Sequence, residues 1–115
     1  MPIIYHMADA DAWKAAVVAG SYPGTEMDQA DGFIHMSTSE TIKGSAAKHR
    51  KGEKNLLLLY IRAEDLGEAL VWEPARGGIL FPHLYASLDP ALVAKIEPLP
   101  LGADGAHIFP ELDQI

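Results

Sequence analysis

The run "KNLLLLYIRA", from Lys54 to Ala63, constrains this chain more than any other stretch. Leu56 to Ile61 are apolar without a break, which is the length of a strand rather than of a helix. A strand with one wet face alternates apolar and polar residues, whereas one apolar on both faces belongs in the middle of a sheet. The rest of the chain must therefore supply its neighbours.

Several segments fit. "PIIYH" is short, apolar and rich in β-branched and aromatic residues, and reads as a first strand ending at His6. "EALVWEP" reads as a strand closed by Pro74. After a turn at "ARGG", "ILFPHLYASL" contains a further extended segment, and "ALVAKIEPLPL" gives a last strand after a turn at Asp89 and Pro90. Helical signals lie earlier. In "DADAWKAAVVAG", Asp9 or Asp11 caps, Trp13, Ala16 and Val17 share a face, and Gly20 stops the helix. "SYPGTEMDQADG" reads as a long surface loop, a kind of segment that is often functional. "FIHM" is a brief strand. Ser37 and Glu40 then stand at capping-box spacing, opening a helix that runs to Arg50 or Lys51 and ends at Gly52. Helices gather in the first half and strands in the second, so the class is α+β. The 115 residues make one domain around one core, with an irregular surface tail from Gly102 to Ile115.

Composition narrows the function. The chain has no cysteine, which excludes disulfides, thiolate metal sites and cysteine nucleophiles and fits a cytoplasmic setting. A formal charge of −7 argues against a nucleic-acid partner. The one basic cluster, Lys48, His49, Arg50, Lys51 and Lys54, reads as a solvated helix end complementing the dipole. No run reaches the roughly 18 apolar residues of a membrane span. The start "MPIIYHMADADAW" has neither the basic region nor the cleavage site of a signal peptide. Oligomeric state is not legible.

Chemistry centres on three histidines beside structural punctuation: His6 at the end of the first strand, His35 before the capped helix and His83 in "FPHLY". A helix N-terminus presents free amides to an anion, so His35 with the hydroxyls of Ser37, Thr38 and Ser39 reads as a phosphate or carboxylate site. In "VWEP", Glu73 offers a general base or a hydroxyl acceptor, while Trp72 alternates into the core. Tyr22 and Tyr85 flank the cleft and offer ring faces, and Arg76 offers a cation in a turn. His6, His35 and His83 together also have the composition of a three-histidine zinc site with Glu73 as base, although no pair has the spacing that fixes two ligands on one element.

"YH" on the first strand, "DGFIHMST", "LVWEP" and "FPHLY", in this order, resemble a widespread uncharacterised bacterial family carrying DGFIH-x-S and FPH-x-Y. Some of its members are labelled glutathione S-transferase-related, a two-domain enzyme for which this chain is too short. More remotely the pattern is similar to the ADP-ribosyltransferase superfamily, including the RNA 2'-phosphotransferases. That resemblance implies a split antiparallel sheet with two helices from the N-terminal half, cradling NAD. It gives His6 the first signature position and His35 with Ser37 the second, and leaves Glu73 and His83 competing for the third.

Three readings follow. The first is a binding protein for an NAD- or ADP-ribose-type small molecule, or a transferase acting on one, with no metal. There His6, His35, Glu73 and His83 carry the chemistry, and Ser37, Thr38, Ser39, Tyr22 and Tyr85 hold the ligand. The second is a non-enzymatic interaction module using the tail, and the third is a histidine-ligated metal hydrolase.

Overall fold

The computed structural model describes residues 2–115, with the side chain of Arg76 left aside. Strand β1 (Ile3–Asp9) and strand β4 (Leu56–Arg62) pair antiparallel along their whole length, from Ile3 opposite Arg62 to Asp9 opposite Leu56. Short β3 (Ser37–Thr38) flanks β1 and β7 (Val93–Pro98) flanks β4, giving the order β3-β1-β4-β7. The all-apolar run is thus in the interior of the sheet, as its two apolar faces require. A second antiparallel sheet has the order β2-β6-β5, from Ile34–His35, Leu80–Leu84 and Leu70–Pro74.

Both faces of the larger sheet are covered. Ile4 and Ala8 of β1, with Leu59 and Ile61 of β4, pack against Trp13 and Ala16 of helix α1 (Ala10–Ala19) and against Ile34 and Leu84 of the smaller sheet. Tyr5, Leu58 and Tyr60 point the other way, onto Ile42 and Ala46 of helix α3 (Ile42–His49) and onto Phe109 and Leu112 of the tail. Asp9 caps α1 through the amide of Ala12, and Gly20 closes it in the left-handed conformation at φ 80°.

Five expectations need correction. The first strand continues past His6 to Asp9. The stretch taken for a long loop contains helix α2 (Glu26–Asp31), capped by Thr25 and Asp28 in a reciprocal capping box. Ser37 and Glu40 form no such box: Ser37 and Thr38 are a strand paired with β1, and α3 begins only at Ile42 with Thr41 before it. Three α-helices, not two, therefore lie in the N-terminal half of the described chain. Trp72 shares the face of Leu70 and Leu84 but is not buried as read, because β5 is an edge strand and the residue is 37% exposed. The tail is irregular as read, but it is anchored: the Tyr60 hydroxyl donates to the Glu111 carbonyl, and Tyr5 bonds both backbone and carboxylate of Asp113.

Candidate functional site

The segment Ile34 to Thr38 belongs to both sheets. Ile34 and His35 pair with Leu84 and His83 in the smaller sheet; two residues later, Ser37 and Thr38 pair with Tyr5 and Ile4 in the larger one. Where the chain crosses, the sheets splay and a cleft of about 330 Å³ opens between them and α3. One part of its wall is apolar, from Met27, Met36, Ile79 and Phe81, and the other is polar, from Ser37, Ser45, Lys48, His49, His35 and His83. A smaller recess of about 60 Å³ continues from the cleft toward His6, Asp28 and Arg50.

Alternation sets what the smaller sheet shows the cleft. Ile34 and Leu84 turn into the core, so their neighbours His35 and His83, paired across the ladder, turn out. Phe81, two residues before His83, shares that face, and so does Glu73, which is opposite Phe81 on β5.

Beneath the cleft Asp28, 2% exposed, is the hub of a buried network. Its Oδ2 accepts from the Thr25 amide at 2.8 Å, and its Oδ1 accepts from the His35 amide at 3.0 Å and from His35 Nδ1 at 2.5 Å. His35 Nε2 faces Asp31 Oδ2, at the C-terminal end of α2, at 3.0 Å. Two carboxylates, which only accept, thus face both ring nitrogens, an arrangement that favours the doubly protonated imidazolium. The hydrogen bond to Asp28, opposed by burial, raises its pKa above the ordinary imidazole value. Burial pushes Asp28 the other way, toward the neutral acid, but the bonds from His35 and the Thr25 amide outweigh it and hold the carboxyl below its usual range. Gly24, at φ 92°, makes room: a Cβ there would lie 2.7 Å from Cβ of Asp28.

His6 is in the opposite protonation state. Its Nδ1 lies 2.8 Å from the His35 carbonyl, which accepts, so Nδ1 carries the proton; Nε2 then accepts from the Tyr22 hydroxyl at 2.8 Å. Burial lowers the His6 pKa, against the pull of Asp28, and keeps the ring neutral. Burial likewise raises the Tyr22 pKa, so its hydroxyl stays a donor.

At the sheet's outer rim Glu73 Oε1 accepts from His83 Nδ1 at 2.7 Å and from the Tyr85 hydroxyl at 2.6 Å. These bonds, that of Tyr85 foremost, lower the Glu73 pKa. Phe33 stacks on His83 with ring centroids 4.1 Å apart and planes at 23°.

Residues 7–96 match a family described as "Protein of unknown function (DUF952)". The chain belongs to this family. It is 44% identical to protein CC0527 from Caulobacter crescentus, whose crystal structure superposes with a TM-score of 0.89 over 92% of this chain and 93% of that one. The solution NMR structure of CC0527 gives 45% identity and a TM-score of 0.82, over 92% and 91% of the two chains. No curated protein matches.

Of the residues that carried the sequence reading, His35, His83 and Ser37 line the cleft and His6 lines its recess. Others do not come together as read. Tyr22 is 1% exposed and committed to His6, so it offers no ring face to a ligand. Tyr85 is on the far side of Glu73, beside Pro23 and Phe33. Thr38 and Ser39 border a different depression with Pro2 and Asp113, and Ser37 bonds Ser45 rather than capping α3. The helix N-terminal anion site at His35 is therefore absent. For the triple-histidine reading, both His35 nitrogens face carboxylates and both His6 nitrogens are hydrogen-bonded within the chain. Among the described residues no cluster of three ligating side chains forms.

The sequence reading missed Asp28, although Thr25-x-x-Asp28 is itself a capping-box spacing. Lys48 and His49 lie, as read, in the exposed last turn of α3, and there they also line the cleft. The Arg76 side chain lies outside what the structure describes.

Proposed function

We propose that the cleft binds an NAD- or ADP-ribose-type small molecule, within an ADP-ribosyltransferase-like arrangement of two splayed antiparallel sheets. The observation that carries this reading is the two-sided wall: apolar Met36, Ile79 and Phe81 face a flat ring, while Lys48 offers a cation and His49 a ring N–H to phosphate. Lys48 is exposed and has no anionic partner among the described residues, so its charge is open to a bound phosphate. The volume of about 330 Å³ is near the lower end of ligand pockets, about 300–1,000 Å³, and suits one nucleotide-sized half of a dinucleotide. The hydroxyls of Ser37 and Ser45 stand between ring and phosphate positions as ribose partners. His35, locked between two aspartates, supplies fixed positive charge at the floor rather than a mobile proton.

The test is thermal unfolding with NAD, ADP-ribose and inorganic phosphate, on wild type and on Lys48→Ala. Ligand at about ten times its dissociation constant adds about 1.4 kcal/mol to stability, a shift of about 6 °C for this length of chain. A shift with ADP-ribose that shrinks in Lys48→Ala supports the reading. No shift with any of the three sinks it. Lys48 is exposed and bonds no described residue, so its loss leaves the fold intact.

A further inference from the structure

We propose that His83 is the proton-accepting residue of this cleft, with Glu73 and Tyr85 as positioning residues, and that its partner is a hydroxyl on a ligand carrying a phosphate. The proposal rests on the cleft reading above for its ligand, and on side-chain geometry for its chemistry.

Of the three histidines, two are spent. His6 is buried, with both nitrogens bonded, and His35 has both nitrogens against carboxylates. His83 differs. Its Nδ1 faces Glu73 Oε1 at 2.7 Å, an ionised carboxylate that can only accept, so the proton of the neutral ring is on Nδ1. The lone pair is then on Nε2, which bonds no described residue and is not among the polar atoms shut off from solvent without a partner. The ring cannot swing away, because Phe33 stacks on its face and its side chain is only 12% exposed. Tyr85 donates to the same Glu73 oxygen at 2.6 Å, which fixes the carboxylate that fixes the ring. A histidine that lines a cleft, with one nitrogen oriented by a carboxylate and the other open, has the arrangement of a general base.

The step is a proton transfer. The O–H bond of the ligand hydroxyl breaks as the Nε2–H bond forms, leaving an alkoxide and an imidazolium whose charge Glu73 offsets. The reverse transfer returns the proton to oxygen. Lys48 and His49, at the mouth, take the ligand's phosphate, so a phosphorylated sugar or nucleoside fits both ends.

The experiment combines two measurements on the intact chain. Two-bond ¹⁵N–¹H spectra of the neutral His83 ring report which nitrogen carries the proton. Carbethoxylation by diethylpyrocarbonate, mapped by mass spectrometry, reports which histidines have an open nitrogen. The expected result is an Nδ1–H tautomer for His83 and modification of His83 and exposed His49, with His6 and His35 spared. In Glu73→Ala the tautomer shifts toward Nε2–H and the His83 rate falls several-fold. Tyr85→Phe, which keeps the ring and the fold, gives a smaller fall in the same direction. An Nε2–H tautomer in wild type, or a His83 as unreactive as His6, overturns the proposal. Added ADP-ribose slows modification of His83. If tautomer and rates are as expected but ADP-ribose gives no protection, the ligand reading falls and the assignment of the base stands.

Discussion

Replacing Asp28 by Asn removes a buried negative charge while keeping the side chain's shape. In the wild type that carboxylate accepts from two backbone amides and from the His35 ring. An amide in its place has one accepting oxygen, and its NH₂ group faces donors it cannot bond. Taking away one partner of a buried ion pair costs about 3–5 kcal/mol, because the other charge is left in a medium that solvates it badly. His35 is 31% exposed and retains Asp31, which puts the cost at the low end, about 3 kcal/mol. Unfolding entropy of about 2.1 cal/mol/K per residue gives about 240 cal/mol/K for 115 residues, so the melting temperature falls by about 12 °C. Differential scanning calorimetry in mildly acidic buffer, where the ring is charged, measures this directly. Asp31→Asn is the control: that carboxylate is 48% exposed, and its pair is worth at most about 1 kcal/mol. If Asp28→Asn melts with the wild type, or no lower than Asp31→Asn, the network is not the hub described above.

Three further outcomes follow from the same geometry. His35 has a raised pKa when folded, so its contribution is complete below the unfolded value of 6.5 and fades as pH rises through the folded value; urea titrations of His35→Gln against wild type should converge as pH is raised above 6.5 through that range. Gly24→Ala forces a Cβ against Asp28 at a left-handed φ; strain of about 1–2 kcal/mol plus displacement of the carboxylate should lower the urea midpoint, and an unchanged midpoint would show that the approach is not tight. Deleting residues 109–115 strips Phe109 and Leu112 from the core and the partners of Tyr5 and Tyr60, so circular dichroism should record a loss of several degrees; a truncated chain as stable as the full one would return the tail to the role of a free arm.

Local pattern carried much of the fold. The central strand, the first helix with its Gly20 stop, and the strand closed by Pro74 all depend on near neighbours in sequence and stand as read; of the two caps offered the chain uses Asp9, and Val17, read onto the face of Trp13 and Ala16, is exposed. The errors cluster between Tyr22 and Thr41, where local signals compete. "TEMD" and "STSE" both have capping-box spacing, and the sequence reading chose the second; pairing of Ser37 and Thr38 with β1 overrode it, whereas nothing competes with Thr25 and Asp28. Trp72 followed its alternation correctly but misled on burial, since alternation does not say which strand is an edge.

What the sequence determined by itself is the α+β class, the buried central strand and the placing of three histidines beside structural punctuation. Each rests on composition or on contacts within a few residues. Only the tertiary structure decided what those histidines are. His6 and His35 are 29 residues apart, and His83 and Glu73 10 apart on different strands, so their partners are set by sheet register and not by spacing. Protonation follows partners: two carboxylates make His35 a fixed cation, a carbonyl and a buried phenol keep His6 neutral, and a single glutamate leaves one nitrogen of His83 open. The same residue type thus has three chemistries, and the difference is the field of the folded chain around each ring.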